Sequence, residues 1–386
     1  MDKIFKSLDF LHKFIKYHHL TFQKNKMWAS WLNFFFANIA ITIVNASMFY
    51  YVMSRISNIF SLNTPKRILI IIAIAISLII ISTVMYHGSS KLLDILWTIS
   101  SWIFVLWFLF AILLFITQII WIRYKINPRI FSWIMIIILW LGIFFALKTK
   151  ITTYDIISDK IPQDTKILLV SDIHTDHIFK RFHIKKIKKI IENQNFDFVL
   201  IAWDMMNKAN QDYPNYFSIL KSDNYPPIIA IAWNHDLMWD TQIVYDIPEK
   251  SSIKLLNNES IEINWIQIIW IIDKSIRWST ILEDNLDKSD IDNNPGKFWI
   301  LLTHQPIWLE KLKNYPIDLE VAWHTHRGQI YWLRKFVDMV NDYWYGKYEE
   351  NWKTTIVTQW IGTWWLPFRL WTQSEMVIIN LYKNLK

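Results

Sequence analysis

KILLVSDIH (residues 166–174) is an apolar run rich in leucine and β-branched residues that breaks into serine, aspartate and histidine. A continuous apolar stretch of this length bounded by polar residues fits a strand buried on both faces, the kind found in parallel sheets. Two more runs share the design: DFVLIAWD (197–204) and PIIAIAWNHD (227–236). Between the first two, RFHIKKIKKIIENQ (181–194) spaces its apolar residues as an amphipathic helix does. The order is therefore βαβαβ, with polar groups delivered at the carboxyl ends of the strands, where open α/β sheets gather their functional side chains. Further strands are expected at 261–272, 298–303, 318–322, 355–359 and 375–381, which makes the second half richer in β structure.

Five polar clusters sit behind these runs. They are Asp172 with His174, Asp204, Asn234 with His235 and Asp236, His304, and His324 with His326. Of the 11 histidines in the chain, five fall here. One such residue alone reads as a satisfied structural histidine or a capping aspartate; the ordered set, each member behind an apolar strand, reads as a metal centre. Cysteine is absent, so any metal is held by nitrogen and oxygen, a donor set that suits Mn²⁺, Fe²⁺, Co²⁺ or Zn²⁺. The absence of cysteine also excludes a disulfide framework and a thiolate zinc site.

The clusters resemble the calcineurin-like metallophosphoesterase superfamily, whose pattern is D-x-H, GD, GNH[DE], H and GHxH. Membrane-anchored bacterial members are especially similar, through WHTHRGQI (323–330) and GTWWLPFRLW (362–371). The resemblance covers the chain from about residue 160 to its end and implies a four-layer α/β/β/α sandwich. It also implies two divalent metal ions (Mn²⁺, Fe²⁺ or Zn²⁺). Asp172, His174, Asp204 and His326 would hold one, and Asp204, Asn234, His304 and His324 the other, with a metal-bridging hydroxide as nucleophile. His235 would then serve the leaving oxygen, with Asp236 orienting its ring. Arg327 replaces a glycine of the family pattern and is a candidate contact for a substrate phosphate. Asp176 is a second departure, again where relatives often have glycine.

The other departures are of one kind. Tryptophan stands where the family has glycine at Trp203, Trp233, Trp323 and Trp371, and the same reading extends to Trp360 and Trp365. The chain has 6 glycines and 24 tryptophans, whereas a glycine usage of about 7% would give roughly 27. A gene that reads UGA as glycine, written here with UGA as tryptophan, accounts for both numbers. On that reading Asn351-Trp352 is an Asn-Gly turn, and Trp265 and Trp270 are turn or strand glycines.

Ahead of this domain the composition changes. Residues 1–26 form a basic tail with six lysines and no small-residue cleavage site. Apolar runs at about 27–53, 68–86, 95–122 and 130–147 are each long enough to span a bilayer, so residues 27–150 read as a transmembrane region of about four helices and 151–386 as the catalytic domain. Basic residues in the connectors after the first and third runs place those loops in the cytoplasm and the catalytic domain outside, although the tail argues the other way. The net charge of +8 fits an anionic membrane or an anionic substrate, and no nucleic-acid motif accompanies it.

The expected protein is a multi-pass, membrane-anchored phosphoesterase whose phosphate ester is lipid-linked or part of the envelope. An inactive scaffold is the alternative if the motif tryptophans are genuine. A transporter is disfavoured by the scarcity of ionisable residues inside the apolar runs.

Overall fold

The structure, a computed structural model, describes residues 46–55, scattered positions from 57 to 111, and then 128–174, 181–202, 205, 212–231, 241–256, 260–270, 296–303, 306–307, 309–323, 343–363 and 368–384. The chain divides into two compact units, Met1–Ser132 and Trp133–Lys386. Most of the first unit, and with it most of the first three apolar runs, lies outside the described residues. The fourth run is helical, as α1 (Pro128–Leu147). Ile130, Trp133, Ile134, Ile136, Ile137, Trp140 and Phe144 are exposed along it. Five of its side chains lie outside the described ones, and among the described residues no helix is both long and apolar enough to cross a membrane.

The second unit contains two six-stranded sheets. The first has the order β1 (Thr149–Ser158), β12 (Ser374–Lys383), β2 (Thr165–Ser171), β3 (Phe198–Ala202), β4 (Ile228–Ile231), β5 (Ile253–Leu256). The second runs β10 (Gly346–Glu350), β11 (Lys353–Val357), β9 (Leu319–Ala322), β8 (Phe298–Leu302), β7 (Ile266–Trp270), β6 (Ser260–Ile263). In the first, β2, β3, β4 and β5 are mutually parallel, with Ser171 opposite Ala202 at the end of the β2–β3 ladder. In the second, β7, β8, β9 and β11 are parallel.

Alternation along the strands decides what packs where. Ile167, Leu169, Leu200 and Ile229 of the first sheet meet Ile268, Ile300, Leu302 and Val321 of the second in one buried cluster between the sheets. The intervening residues Leu168, Val170, Val199 and Ile201 face outward against Ile184, Ile187, Ile190 and Ile191 of α2 (Phe182–Asn193). On the far side, Ile269, Trp299 and Leu301 are covered by Leu309 and Leu312 of α6 (Leu309–Leu312). The short helices α3 (Tyr213–Phe217), α4 (Thr241–Tyr245) and α5 (Ile247–Lys250) complete the outer layer of the first sheet.

Where sequence pattern alone favoured one strand over 261–272, the structure has a hairpin. β6 and β7 pair Ile263 with Ile266 across a two-residue turn, Asn264-Trp265, with φ of 49° and 69°. β10 and β11 turn in the same way at Asn351-Trp352, with φ of 50° and 65° and Glu350 paired to Lys353. Two positive φ values in a two-residue loop define a type I′ turn, which favours Asn-Gly. Trp352 is wholly exposed, so its indole adds no packing in return. Left-handed backbone costs a side-chain-bearing residue about 1–2 kcal/mol, partly offset by the entropy glycine loses on folding. Trp352→Gly is therefore expected to raise the thermal midpoint, corresponding to up to about 1 kcal/mol. A lower midpoint in a melting experiment would contradict this turn geometry.

Candidate metal centre

β2 ends at Ser171, and the next residues leave the ladder abruptly. Asp172 has φ of 50° and His174 φ of 46°, both in the left-handed region. Asp172 is fully buried and His174 nearly so. The Asp172 amide still donates to Ala202 O at 3.1 Å, so the loop stays in register with the end of β3. A carboxylate and an imidazole buried together at a strand tip are an oxygen–nitrogen donor pair suited to a divalent cation, and acidic side chains are seldom fully buried unless paired or metal-bound. The residues present thus fit the group that the sequence implies.

A strap at residues 358–363 joins this tip to the other sheet, chiefly through backbone amides. Thr358 N–H donates to Ala322 O at 3.0 Å, at the end of β9. Ile361 N–H donates to Ser171 O at 3.2 Å and Gly362 N–H to Asp172 O at 2.9 Å. The carboxyl ends of β2 and β9 therefore lie at one edge of the sandwich. Gly362 permits the approach, because a Cβ there would sit 2.5 Å from both Asp172 O and Ile173 O.

A buried indole occupies the same place. The Trp360 ring lies 5.2 Å from that of His174, and its Nε1 donates to Trp323 O at 3.1 Å. Trp360 has φ of 77° although it is only 1% exposed.

The remaining expected ligands follow strand ends in the chain. β3 stops at Ala202 before Asp204, β4 at Ile231 before Asn234, His235 and Asp236, β8 at Leu302 before His304, and β9 at Ala322 before His324, His326 and Arg327. Those eight residues lie outside the described ones, and so do Asp176, Trp203, Trp233 and Trp365. Of the seven expected metal ligands, the structure brings Asp172 and His174 together. Among the described residues no group of three potential ligands is formed.

Three buried polar groups of the domain were given no role by motif. Glu320, inside the apolar run of β9, accepts from Thr303 Oγ1 at 2.8 Å, Ile307 N–H at 2.7 Å and Thr355 Oγ1 at 2.8 Å. It thereby ties together Thr303 and Ile307, described residues on either side of His304 in the chain. Glu375 accepts from Thr152 Oγ1, Tyr345 OH at 2.8 Å, Thr358 Oγ1 at 3.3 Å and Gln359 N–H at 3.1 Å, tying the strap to both sheets. His183 of α2 is driven down to about 3 by burial, helped by Lys186 and Arg369, and is neutral near pH 7. A charged residue interrupting an apolar strand was the available signal for Glu320; nothing in the helical pattern distinguished His183 from a core residue.

Residues 165–337 match the family described as calcineurin-like phosphoesterase. An uncharacterized metallophosphoesterase of Campylobacter jejuni is 30% identical over 244 residues, covering 61% of this chain and 64% of the relative. One from Helicobacter pylori is 26% identical over 248 residues, covering 63% and 66%. A zebrafish (Danio rerio) protein named transmembrane protein with metallophosphoesterase domain is 25% identical over 261 residues, covering 61% and 58%. The chain thus spans no more than 66% of the length of each of these relatives.

Burial raises the Glu320 carboxyl from 4.5 to about 7, while its three hydrogen bonds pull it back. The folded protein therefore prefers the protonated form. Stability from this group is complete below pH about 4.5 and is lost as pH rises towards about 7. In Glu320→Gln the decline of stability over that window is expected to flatten, measured by urea midpoints at a series of pH values; an unchanged slope would assign the decline to other groups.

Proposed function

We propose that the chain is a membrane-anchored, dinuclear-metal phosphoesterase that hydrolyses a phosphomonoester or phosphodiester of a lipid or envelope molecule. The observation that carries the reading is the strap, whose amides donate to the ends of β2 and β9, the two strands whose following residues supply Asp172, His174, His324 and His326.

In this reading Asp172, His174, Asp204 and His326 hold one ion, and Asp204, Asn234, His304 and His324 the other. Bound there, such a pair supplies a water of lowered pKa and a positive clamp for the phosphoryl oxygens. The rest of the work belongs to side chains. His235 delivers a proton to the departing oxygen, Asp236 fixes the imidazole in the orientation for that transfer, and Arg327 takes a phosphate oxygen through its guanidinium fork. The exposed apolar side chains of α1 and the name of the zebrafish relative favour a multi-pass protein working at a membrane, and the basic residues in the connectors after the first and third apolar runs favour the extracytoplasmic side for the catalytic domain.

The motif tryptophans are, in the same proposal, glycine in the cell. Trp265, Trp352, Trp360 and Trp371 all have positive φ, where glycine is at ease and tryptophan is not. Among the described residues, half of the eight with positive φ other than glycine are tryptophan, a residue type with no preference for that region. The competing reading, an inactive scaffold, draws on Trp360 being buried beside His174 and on Trp323 being buried as well. Peptide mass spectrometry on protein from its native host decides between them: the account expects glycine at 360 and 371, and tryptophan at both would favour the scaffold.

Two variants separate the side-chain roles. Asp204→Ala is expected to lose bound metal and turnover together, whereas His235→Ala keeps the metal and loses turnover by about 100-fold or more. Metal analysis beside a phosphodiester assay measures both, and equal metal loss in the two variants would contradict the assignment.

A further inference from the structure

Arg369 is fully buried, at 0% exposure, yet lies well away in sequence from every residue expected to bind metal. One of its nitrogens, Nη2, donates to Gln359 O and to Gly362 O, both at 2.8 Å. Those carbonyls bracket Trp360 and Ile361, the turn of the strap. The next link is the strap's own amides, from Ile361 to Ser171 O and from Gly362 to Asp172 O. Arg369 is itself anchored, since its backbone amide donates to Gly142 O of α1 at 2.9 Å and Phe368 packs against Gly142, where a Cβ would meet its ring at 2.1 Å.

A guanidinium suits this task. The two N–H groups of Nη2 are fixed in the guanidinium plane, one for each carbonyl, and the group stays charged when buried, whereas a lysine ammonium sits on a flexible stem and loses its charge more readily on burial. The strained conformations of Asp172 and His174 require such support, because residues held at unfavourable φ persist only where their surroundings over-determine them.

We propose that Arg369 is a positioning residue: through the 359–362 turn it fixes the Asp172–His174 loop and so sets the affinity of the metal ion held by that pair. This rests on the dinuclear reading above and adds a selective consequence. The Ile361 and Gly362 amides of the turn go to Ser171 O and Asp172 O, and its bond toward β9 is the one from the Trp360 indole to Trp323 O, so the loss is expected chiefly at the ion of Asp172 and His174, with little change at that of Asn234, His304 and His324. Removing an outer partner of a metal ligand typically weakens binding roughly 10- to 100-fold.

The test uses the full chain titrated with Mn²⁺, with binding followed by calorimetry and the spin state by electron paramagnetic resonance. The unsubstituted protein is expected to bind two ions as a coupled pair. Arg369→Lys should keep its circular dichroism and one site at the parent affinity, lose roughly 10- to 100-fold at the other, and give the signal of an isolated ion at limiting metal. Arg369→Ala should show the larger loss, with added guanidinium restoring part of it. Both sites at parent affinity in Arg369→Lys would overturn the proposal. So would the unfolding of both variants, which would make the role one of global stability. If the unsubstituted protein binds no manganese, the dinuclear reading falls together with this one, an outcome distinct from the other two.

Discussion

The tip of β2 turns through left-handed backbone at Asp172 and His174 while both side chains stay buried. That conformation costs of order 1–3 kcal/mol at each residue, so it survives only where neighbouring groups leave no cheaper alternative. The neighbouring groups are specific. Ala202 O holds the Asp172 amide, Gly362 N–H holds the Asp172 carbonyl, and Arg369 and Glu375 hold the strap to which Gly362 belongs. The same strap reaches β9, so the constraint at one strand end also brings the second sheet to the same edge. The end of α1 is included through Gly142 O and through Ala146 O, which accepts from Ser374 Oγ at 2.5 Å.

Much of the fold follows from burial alone. The runs at 166–172, 197–204, 227–236, 298–303 and 318–322 became β2, β3, β4, β8 and β9, because interior parallel strands are apolar on both faces and leave a continuous signal. The helix read at 181–194 is α2, whose apolar stripe covers the outer face of the first sheet. The elements without such a signal were missed. β1 pairs with β12 alone and exposes Ile151 and Ile157, and β10, GKYEE, is a polar edge strand. β5 is four residues long with Lys254 exposed in its middle. The 264–265 turn was hidden because Asn-Trp gives none of the turn signal that Asn-Gly gives.

The candidate centre was legible for a different reason. Asp172 and His174 could be named as candidates because open α/β sheets gather functional side chains at their strand ends, and the structure brings both to one buried tip. Glu320, Glu375 and Arg369 left weaker traces, since their roles depend on backbone carbonyls, amides and hydroxyls up to 223 positions away in sequence, as for Thr152 and Glu375. A motif names groups that touch a ligand; it does not reveal the groups that hold the loop carrying them.

The central claim is that two metal ions sit where the tips of β2, β3, β4, β8 and β9 converge. A crystal structure of the manganese-loaded full chain, recorded at the manganese absorption edge, tests it directly. The account predicts two anomalous peaks sharing Asp204, one against Asp172, His174 and His326 and the other against Asn234, His304 and His324. No peak beside Asp172 and His174, or peaks only at other places on the protein, would contradict it.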